Sequence, residues 1–243
     1  MNRKEPSAVR IPAISPLDHT RRVQAPRQER SRRTFERVLD AGVELLAEGG
    51  YEVFTISEVC RRARVSPGAL YGRIDSKDTL FLAIHEREMG RILAEVSAVF
   101  ADGPYWQALP VEDLVIETVR KLGEHYRRHE AVLRAFILRS AVDDRVRADG
   151  EAASARLLVL LSALLLTRRD ELARLHADPV AAVRTVCRIV FDSLAWRTAF
   201  GMGFAETRAG QGSSAEDWSE HLSRVCSAYL LTASAPWADS PLN

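Results

Sequence analysis

The chain is short of most residues that announce a chemistry. Its three cysteines, Cys60, Cys187 and Cys226, are odd in number and widely separated. That excludes a disulfide framework and the paired spacing of a zinc finger. It is the usage of a reducing compartment, where a thiol behaves as a small buried hydrophobe. Cys60 has no nearby second cysteine to resolve an oxidised form, which argues against a thiol sensor. Aromatics are only 7% of 243 residues, which does not favour a large stacked pocket for flat cations. No glycine-rich phosphate loop, nucleophile elbow, zincin motif or recognisable acid pair is present. No enzyme is therefore proposed, and no catalytic residue, cofactor or metal ligand is assigned. The N-terminus has no apolar signal core. The most apolar run, Leu157 to Thr167, is closed by Arg156 and Arg168-Arg169. It falls well short of the ~20 residues a bilayer span needs, so it reads as a buried central helix. The expectation is a cytoplasmic protein with no membrane partner.

What is present is helical. There are 10 Pro, 13 Gly and 47% hydrophobic residues, with many Ala, Leu, Arg and Glu and no sustained period-2 alternation. These features predict an all-α protein with ample core. The net charge of +1 says little as a whole. Its distribution says more: basic residues outnumber acidic ones over 1–77, and the reverse holds over 78–243. A basic front and an acidic back suit a phosphate-facing end joined to a separate body.

Residues 1–27, with four prolines and scattered Arg and Lys, read as a disordered basic arm, either a groove or phosphate contact or a solvated tail. A first helix is expected from about Gln28 to Ala47, with Phe35, Val38, Leu39, Gly42, Leu45 and Leu46 on one stripe. Gly49-Gly50 ends it. Thr55 then opens a short helix, and Glu58 three residues on makes a capping box. Ile56, Val59, Cys60 and Ala63 form its buried side. After Arg64-Val65, Ser66 is an N-cap and Pro67 stands at the first helical position, where its missing N–H is not needed. That third helix runs only to about Ile74, and Leu70 is its inward anchor. Ser76 caps a fourth, from Lys77 to about Ala101. Helix, tight turn and short helix make a helix-turn-helix, whose second helix enters the DNA major groove.

Residues 28–81 resemble the N-terminal DNA-binding domain of the tetracycline-repressor (TetR) family of transcriptional regulators. The likeness is carried by the first helix ending in Gly-Gly, Thr55, the run Val65-Ser66-Pro67-Gly68-Ala69-Leu70-Tyr71, and Ser76-Lys77-Asp78 before Leu80. It implies DNA contacts from Thr55, Ser66, Pro67, Gly68, Ala69, Tyr71, Arg73 and Lys77. Thr55 and Tyr71 suit phosphates, and the small front of the third helix lets the backbone approach base edges. Arg73 suits a phosphate or a guanine, and Lys77 resembles the family's backbone clamp. Each also admits a plain use: packing for Tyr71, solvation for Arg73, capping for Lys77. Three positions depart from the family pattern: Arg64 for Gly, Gly72 for an aromatic and Ile74 for Phe. They put the operator sequence in doubt and leave the fold intact.

The resemblance also implies domains: 28–80 for DNA and 81–234 as a helical effector-binding and dimerisation body, with 235–243 a disordered tail. Body helices are expected over Val111–His129, Glu130–Val142, Asp144–Leu175, Pro179–Phe200 and Ser214–Thr232, with a mobile loop at Gly201–Ser214. A homodimer through 179–200 and 214–232 would use Val183, Val186, Cys187, Val190 and Leu194 with Leu222, Val225, Cys226, Tyr229 and Leu230, residues that equally suit an internal core. Candidate effector contacts are Phe100, Trp106, Tyr126, Phe136, Arg139 and Trp196. His125 and His129, four apart, could face one metal, but Arg127 and Arg128 intervene and no third ligand is identifiable, so they read as a solvated face. The expected function is a DNA-binding transcriptional regulator, a repressor released from a palindromic double-stranded operator by a small-molecule effector. Two alternatives remain: a helical ligand-binding or enzymatic protein with these helices as scaffold, and a DNA-binding regulator without an effector.

Overall fold

A computed structural model describes residues 29–101, 103–201 and 215–233. The basic arm, most of the Gly201–Ser214 loop and the C-terminal tail lie outside the described residues. Every regular element among those described is helical. The helices are α1 (Glu29–Val53), α2 (Ile56–Ala63), α3 (Pro67–Tyr71), α4 (Lys77–Val99), α5 (Pro104–Ala108) and α6 (Val111–Arg128). They continue as α7 (Glu130–Ser140), α8 (Asp144–Leu165), α9 (Arg169–Leu172), α10 (Pro179–Phe200) and α11 (Ala215–Leu231).

The head is built by α1 to α3 and the start of α4. Phe35, Val38, Leu39, Leu45 and Leu46 of α1 are buried as one face. Gly49 and Gly50 leave helical geometry, and Gly50 takes φ 67°, so the chain breaks where the Gly-Gly pair stands. The following turn delivers Tyr51 and Phe54 to the head core, where both rings pack on Phe81 of α4. Thr55, Ser66 and Ser76 each accept a backbone N–H through the side chain, which fixes three helix starts in 22 residues of chain. Only half of the expected capping box forms: Glu58 N–H reaches Thr55 Oγ1, while the Glu58 carboxylate turns to Arg61 and Arg62. Arg64, at φ 57° and ψ 48°, caps α2 in the left-handed region, at a cost of about 1 kcal/mol that a glycine would avoid.

α4 runs on from the head into the body. Leu80, Phe81 and Ile84 pack in the head, and Ile92, Leu93 and Val96 face the body. α7 lies against α1, and α8 packs between α4, α7 and α10. α6 pairs closely with α11: a Cβ at Gly123 would lie 2.6 Å from Ser219 Oγ.

One long helix over Asp144–Leu175 is not what forms. α8 stops at Leu165 and gives way to a 3-10 turn at Leu166–Arg168 before α9. Thr167 Oγ1 bonds back to the Leu164 carbonyl, and the Arg168 guanidinium donates to the carbonyls of Gln107 and Leu109 at 2.7 and 3.0 Å. Those long-range bonds pull the chain out of register with a straight helix. By length and composition the Asp144–Leu172 run could cross a membrane. Its Leu157, Leu161, Leu164, Leu165 and Leu172 are buried, while only 33% of its most apolar window is, and Val159 is exposed, so it is less fully buried than the central helix expected.

Gly42 is where α1 and α4 come closest. A Cβ there would stand 2.2 Å from Ile84 Cδ1 and 3.2 Å from the Phe54 ring. Both neighbours are fully buried and have little room to give. Gly42→Ala is expected to lower unfolding free energy by about 1–3 kcal/mol. Urea denaturation measures it, and adding Ile84→Val, which removes the clashing methyl, should restore part of the loss.

Candidate nucleic-acid interface and body cavity

The recognition element is held from behind and bare in front. Leu70 anchors α3 in the core, while Ser66, Pro67, Gly68, Ala69 and Tyr71 are exposed on one side of it. Tyr71 is 56% exposed. A Cβ at Gly68 would meet nothing within 4 Å, so this front is open for the close approach of another surface. Thr55 is exposed at the start of α2. These six residues therefore share the outward side of the helix-turn-helix.

Arg73 and Lys77 are placed differently. The Arg73 guanidinium bonds the Ser31 hydroxyl and its carbonyl, the latter at 3.3 Å, and lies 5.8 Å from the Phe35 ring. It ties the end of the recognition element to α1. Lys77 Nζ donates to the Tyr51 carbonyl at 2.8 Å and sits 3.9 Å above the Tyr51 ring. Both charges are engaged inside the head.

Tyr51 is also the meeting point of head and body, which its sequence gave no hint of. The Arg139 guanidinium of α7 lies 3.9 Å from the centre of the same ring. The Tyr51 hydroxyl donates to Asp78, and Arg139 bridges Asp78 at 3.3 Å and Asp143 at 3.5 Å. Burial and the Asp78 hydrogen bond push the Tyr51 phenol up to about 12, so it stays a proton donor at neutral pH. Arg139, expected in the effector pocket, is instead the head-to-body link.

Between α4, α6, α7, α8 and α10 the body holds a half-open cavity of about 520 Å³. Its walls are apolar: Met89, Ile92, Leu93, Val96, Leu133, Phe136, Val146, Leu157 and Phe191. Of the candidate effector contacts, Tyr126 and Phe136 line it. Phe100 and Trp106 do not; they stack on each other with centroids 5.5 Å apart, and the indole N–H is used by the Val99 carbonyl. Trp196 does not either, being 56% exposed beside Phe200. Polar groups enter at His85 and His125 and at the rim residues Arg147, Glu151, Arg188 and Asp192. His85 stacks on Phe81 and meets Phe136 edge-on at 4.7 Å, so an imidazole joins head core to cavity wall.

His125 and His129 are buried, contrary to the expectation of a solvated face. His125 lies on the buried face of α6 with Leu122 and Tyr126, and His129 stands at the corner that ends α6 and starts α7. Burial, with the neighbouring His129, lowers His125 to about 4, so it is neutral at pH 7. Glu95 of α4 reaches His129 Nε2 at 2.8 Å. The partner that sequence spacing could not supply comes from another helix.

The dimer stripes also divide differently. Val183, Val186, Cys187, Val190 and Leu194 of α10, and Leu222, Cys226 and Leu230 of α11, are buried within the one chain. The outward apolar residues are Ile189, Trp196 and Phe200 on α10 and Val225 and Tyr229 on α11. Burial raises the thiols of Cys60, Cys187 and Cys226, the last two to about 11, which makes them poor nucleophiles.

Residues 38–84 match the model of the family described as bacterial regulatory proteins, tetR family. The HTH-type transcriptional repressor KstR of Mycolicibacterium smegmatis is 34% identical over 118 residues, covering 46% of this chain and 55% of that protein. The chain thus spans about half the length, or less, of the first curated relatives it matches. Among solved structures, a bacterial regulatory protein of the tetR family from Rhodococcus RHA1 superposes with TM-score 0.59 at 17% identity. That match covers 83% of this chain and 98% of the other. FadR of Bacillus subtilis, solved with stearoyl-CoA, gives TM-score 0.57 at 15% identity over 80% and 98% of the two chains. These likenesses concern the fold of the whole, and the family match concerns the head. The head of the chain is thus similar to the bacterial regulatory proteins of the tetR family, and the chain as a whole has the fold of the solved structures it superposes on.

Proposed function

We propose that the protein is a dimeric, cytoplasmic DNA-binding transcriptional regulator, a repressor that leaves a palindromic operator when its body takes up a small molecule. The observation that carries this reading is the bare, small-residue front of α3 on a tetR-type head. In it, Pro67, Gly68 and Ala69 approach base edges, Tyr71 and Thr55 hold phosphates, and Ser66 fixes the start of α3. Arg73 and Lys77, engaged by Ser31 and Tyr51, hold the angle of α3 to the rest of the head. Sequence-selective enrichment from a random DNA pool, followed by anisotropy at several salt concentrations, tests the claim. Absence of salt-sensitive, sequence-selective binding would sink it.

The effector reading rests on the cavity, whose volume falls in the ~300–1,000 Å³ range of small-molecule sites. Apolar walls with charges only at the rim suit an elongated apolar ligand with a polar end. FadR, a protein of the same fold, is complexed with stearoyl-CoA. The dimer reading rests on the outward apolar residues of α10 and α11, because paired heads are what a two-fold operator requires.

Tyr71→Ala is expected to weaken operator binding by about 10–100-fold, the scale of a lost charge-assisted hydrogen bond, with an unchanged melting temperature. For the dimer, Trp196→Arg combined with Val225→Arg should sediment as a monomer and lose most operator affinity, since each half-site then binds alone. Arg139→Gln addresses the link between cavity and head. It should leave operator affinity near that of the parent but shrink the release caused by a long-chain acyl-CoA. Couplings of this type are about 5–150-fold, and the variant should approach one.

A further inference from the structure

We infer that Glu95, His125 and His129 form a binding site for one first-row divalent cation of the zinc type, set in the wall between α4 and the body cavity. The three side chains come from two places in the fold. Glu95 is on α4, and the histidines stand at the end of α6 and at the corner where it meets α7. One donor atom from each lies within 4.8 Å of the other two. His129 Nε2 is already 2.8 Å from Glu95 Oε2, and the two imidazole centroids are 4.8 Å apart.

The chemistry of the set is that of a zinc site. Two neutral imidazoles and a carboxylate are borderline donors, and two His with one Glu leave a fourth position open. Metal–donor bonds of about 2.0–2.1 Å put tetrahedral donors about 3.4 Å apart. The pair closest together, at 2.8 Å, must therefore open by about 0.6 Å, and the widest pair must close by up to about 1.4 Å. Rotation of the His125 ring provides the closure. Binding replaces the proton between His129 Nε2 and Glu95 Oε2, and the neutral His129 ring then carries its one proton on Nδ1, the exchange running through solvent.

A second observation points the same way. His125 is 3% exposed, and neither of its ring nitrogens makes a hydrogen bond of ordinary geometry, although the Ile92 backbone interacts with the ring. Buried polar groups are seldom left unsatisfied without a reason. A cation between His125 and His129 supplies the missing partner. The other Glu95 oxygen faces Arg91 at 3.5 Å, so the carboxylate is steadied from the solvent side while Oε2 stays turned inward. His125 is also part of the cavity wall, which brings the open fourth position within reach of water or of a ligand's donor atom.

The test uses the full chain, stripped with a chelator and titrated with Zn²⁺ against a chromophoric competitor. Co²⁺, whose visible spectrum reports tetrahedral nitrogen and oxygen donors, is titrated in parallel. One cation per chain is expected. Glu95→Gln, which keeps the shape of the side chain, and His129→Gln should each weaken binding at least ten-fold, since even outer-shell losses cost 10–100-fold. His221→Ala, on the exposed face of α11, should change nothing. Far-UV circular dichroism of each variant separates lost ligation from lost fold. Absence of one-per-chain binding, or binding that survives Glu95→Gln and His129→Gln in folded protein, would overturn the inference and leave the Glu95–His129 pair as a structural hydrogen bond.

Discussion

The Tyr51 ring holds the two halves of the molecule to each other. Two cations lie over it, Lys77 from the first turn of α4 and Arg139 from the last turn of α7, each 3.9 Å from its centre. A cation over an aromatic ring gains about 0.5–2 kcal/mol per contact, depending on desolvation. Two like charges that close to one ring would repel without compensation. Asp78 and Asp143 supply it: Asp78 accepts from both the Tyr51 hydroxyl and Arg139, and Asp143 accepts from Arg139 on the far side. The cluster is thus a charge-balanced knot of α1, α4 and α7. Apolar contacts between α1 and α7 bring head and body together, but they have no direction. The knot supplies the direction.

That constraint explains the otherwise odd use of charge in the head. Lys77 and Arg73 stand at either end of the link between α3 and α4, and both are turned inward, Lys77 to the Tyr51 carbonyl and Arg73 to Ser31. Each spans from this link back to α1. α3 has only five residues and a single buried anchor, Leu70, too little to fix its orientation by packing. Two tethers on its C-terminal side do so and leave its front clear. The head core behind it is small and aromatic, with Tyr51, Phe54 and Phe81 in mutual contact. A shift at Tyr51 is therefore felt both by the tether of α3 and by the contact with the body.

The head was legible in the sequence because its elements are short and each begins with a local signal. Thr55, Ser66 and Ser76 act within three residues of themselves, and Pro67 and the Gly49-Gly50 pair act on their own backbone. In the body the extents of most long helices were legible, but not the short helix Pro104–Ala108, the break after Leu165 or which helix meets which. Where α8 ends is decided by Arg168 reaching carbonyls some 60 positions away, and Glu95 meets His129 across 34 positions. No local pattern carries such pairings. On α10 the apolar residues go almost all the way round the helix, so periodicity could not separate the side that fills the core from the side that carries Ile189, Trp196 and Phe200. Arg139 was misplaced for a related reason. It sits in an apolar stretch with Phe136, and one helical turn separates a cavity-facing residue from one that faces the head.

That single turn is also the shortest path from ligand to DNA in the proposed regulator. Phe136 and Ile137 line the cavity, Ser140 lines it one turn on, and Arg139 lies between them in the knot around Tyr51. Three residues of helix rise about 4.5 Å and behave as a rigid unit. A ligand that shifts the α7 backbone at Phe136 then carries Arg139 with it, because breaking the helix between them would cost several hydrogen bonds. A second contact runs through His85, stacked on Phe81 of the head core and edge-on to Phe136 in the wall. Both routes start at Phe136; one reaches Tyr51 through Arg139 and the other through Phe81, whose ring touches Tyr51. For a ligand to favour release, it has only to bind better where Phe136 has moved than where it has not. The same residue that closes the cavity thus sets the position of the cation that holds the head.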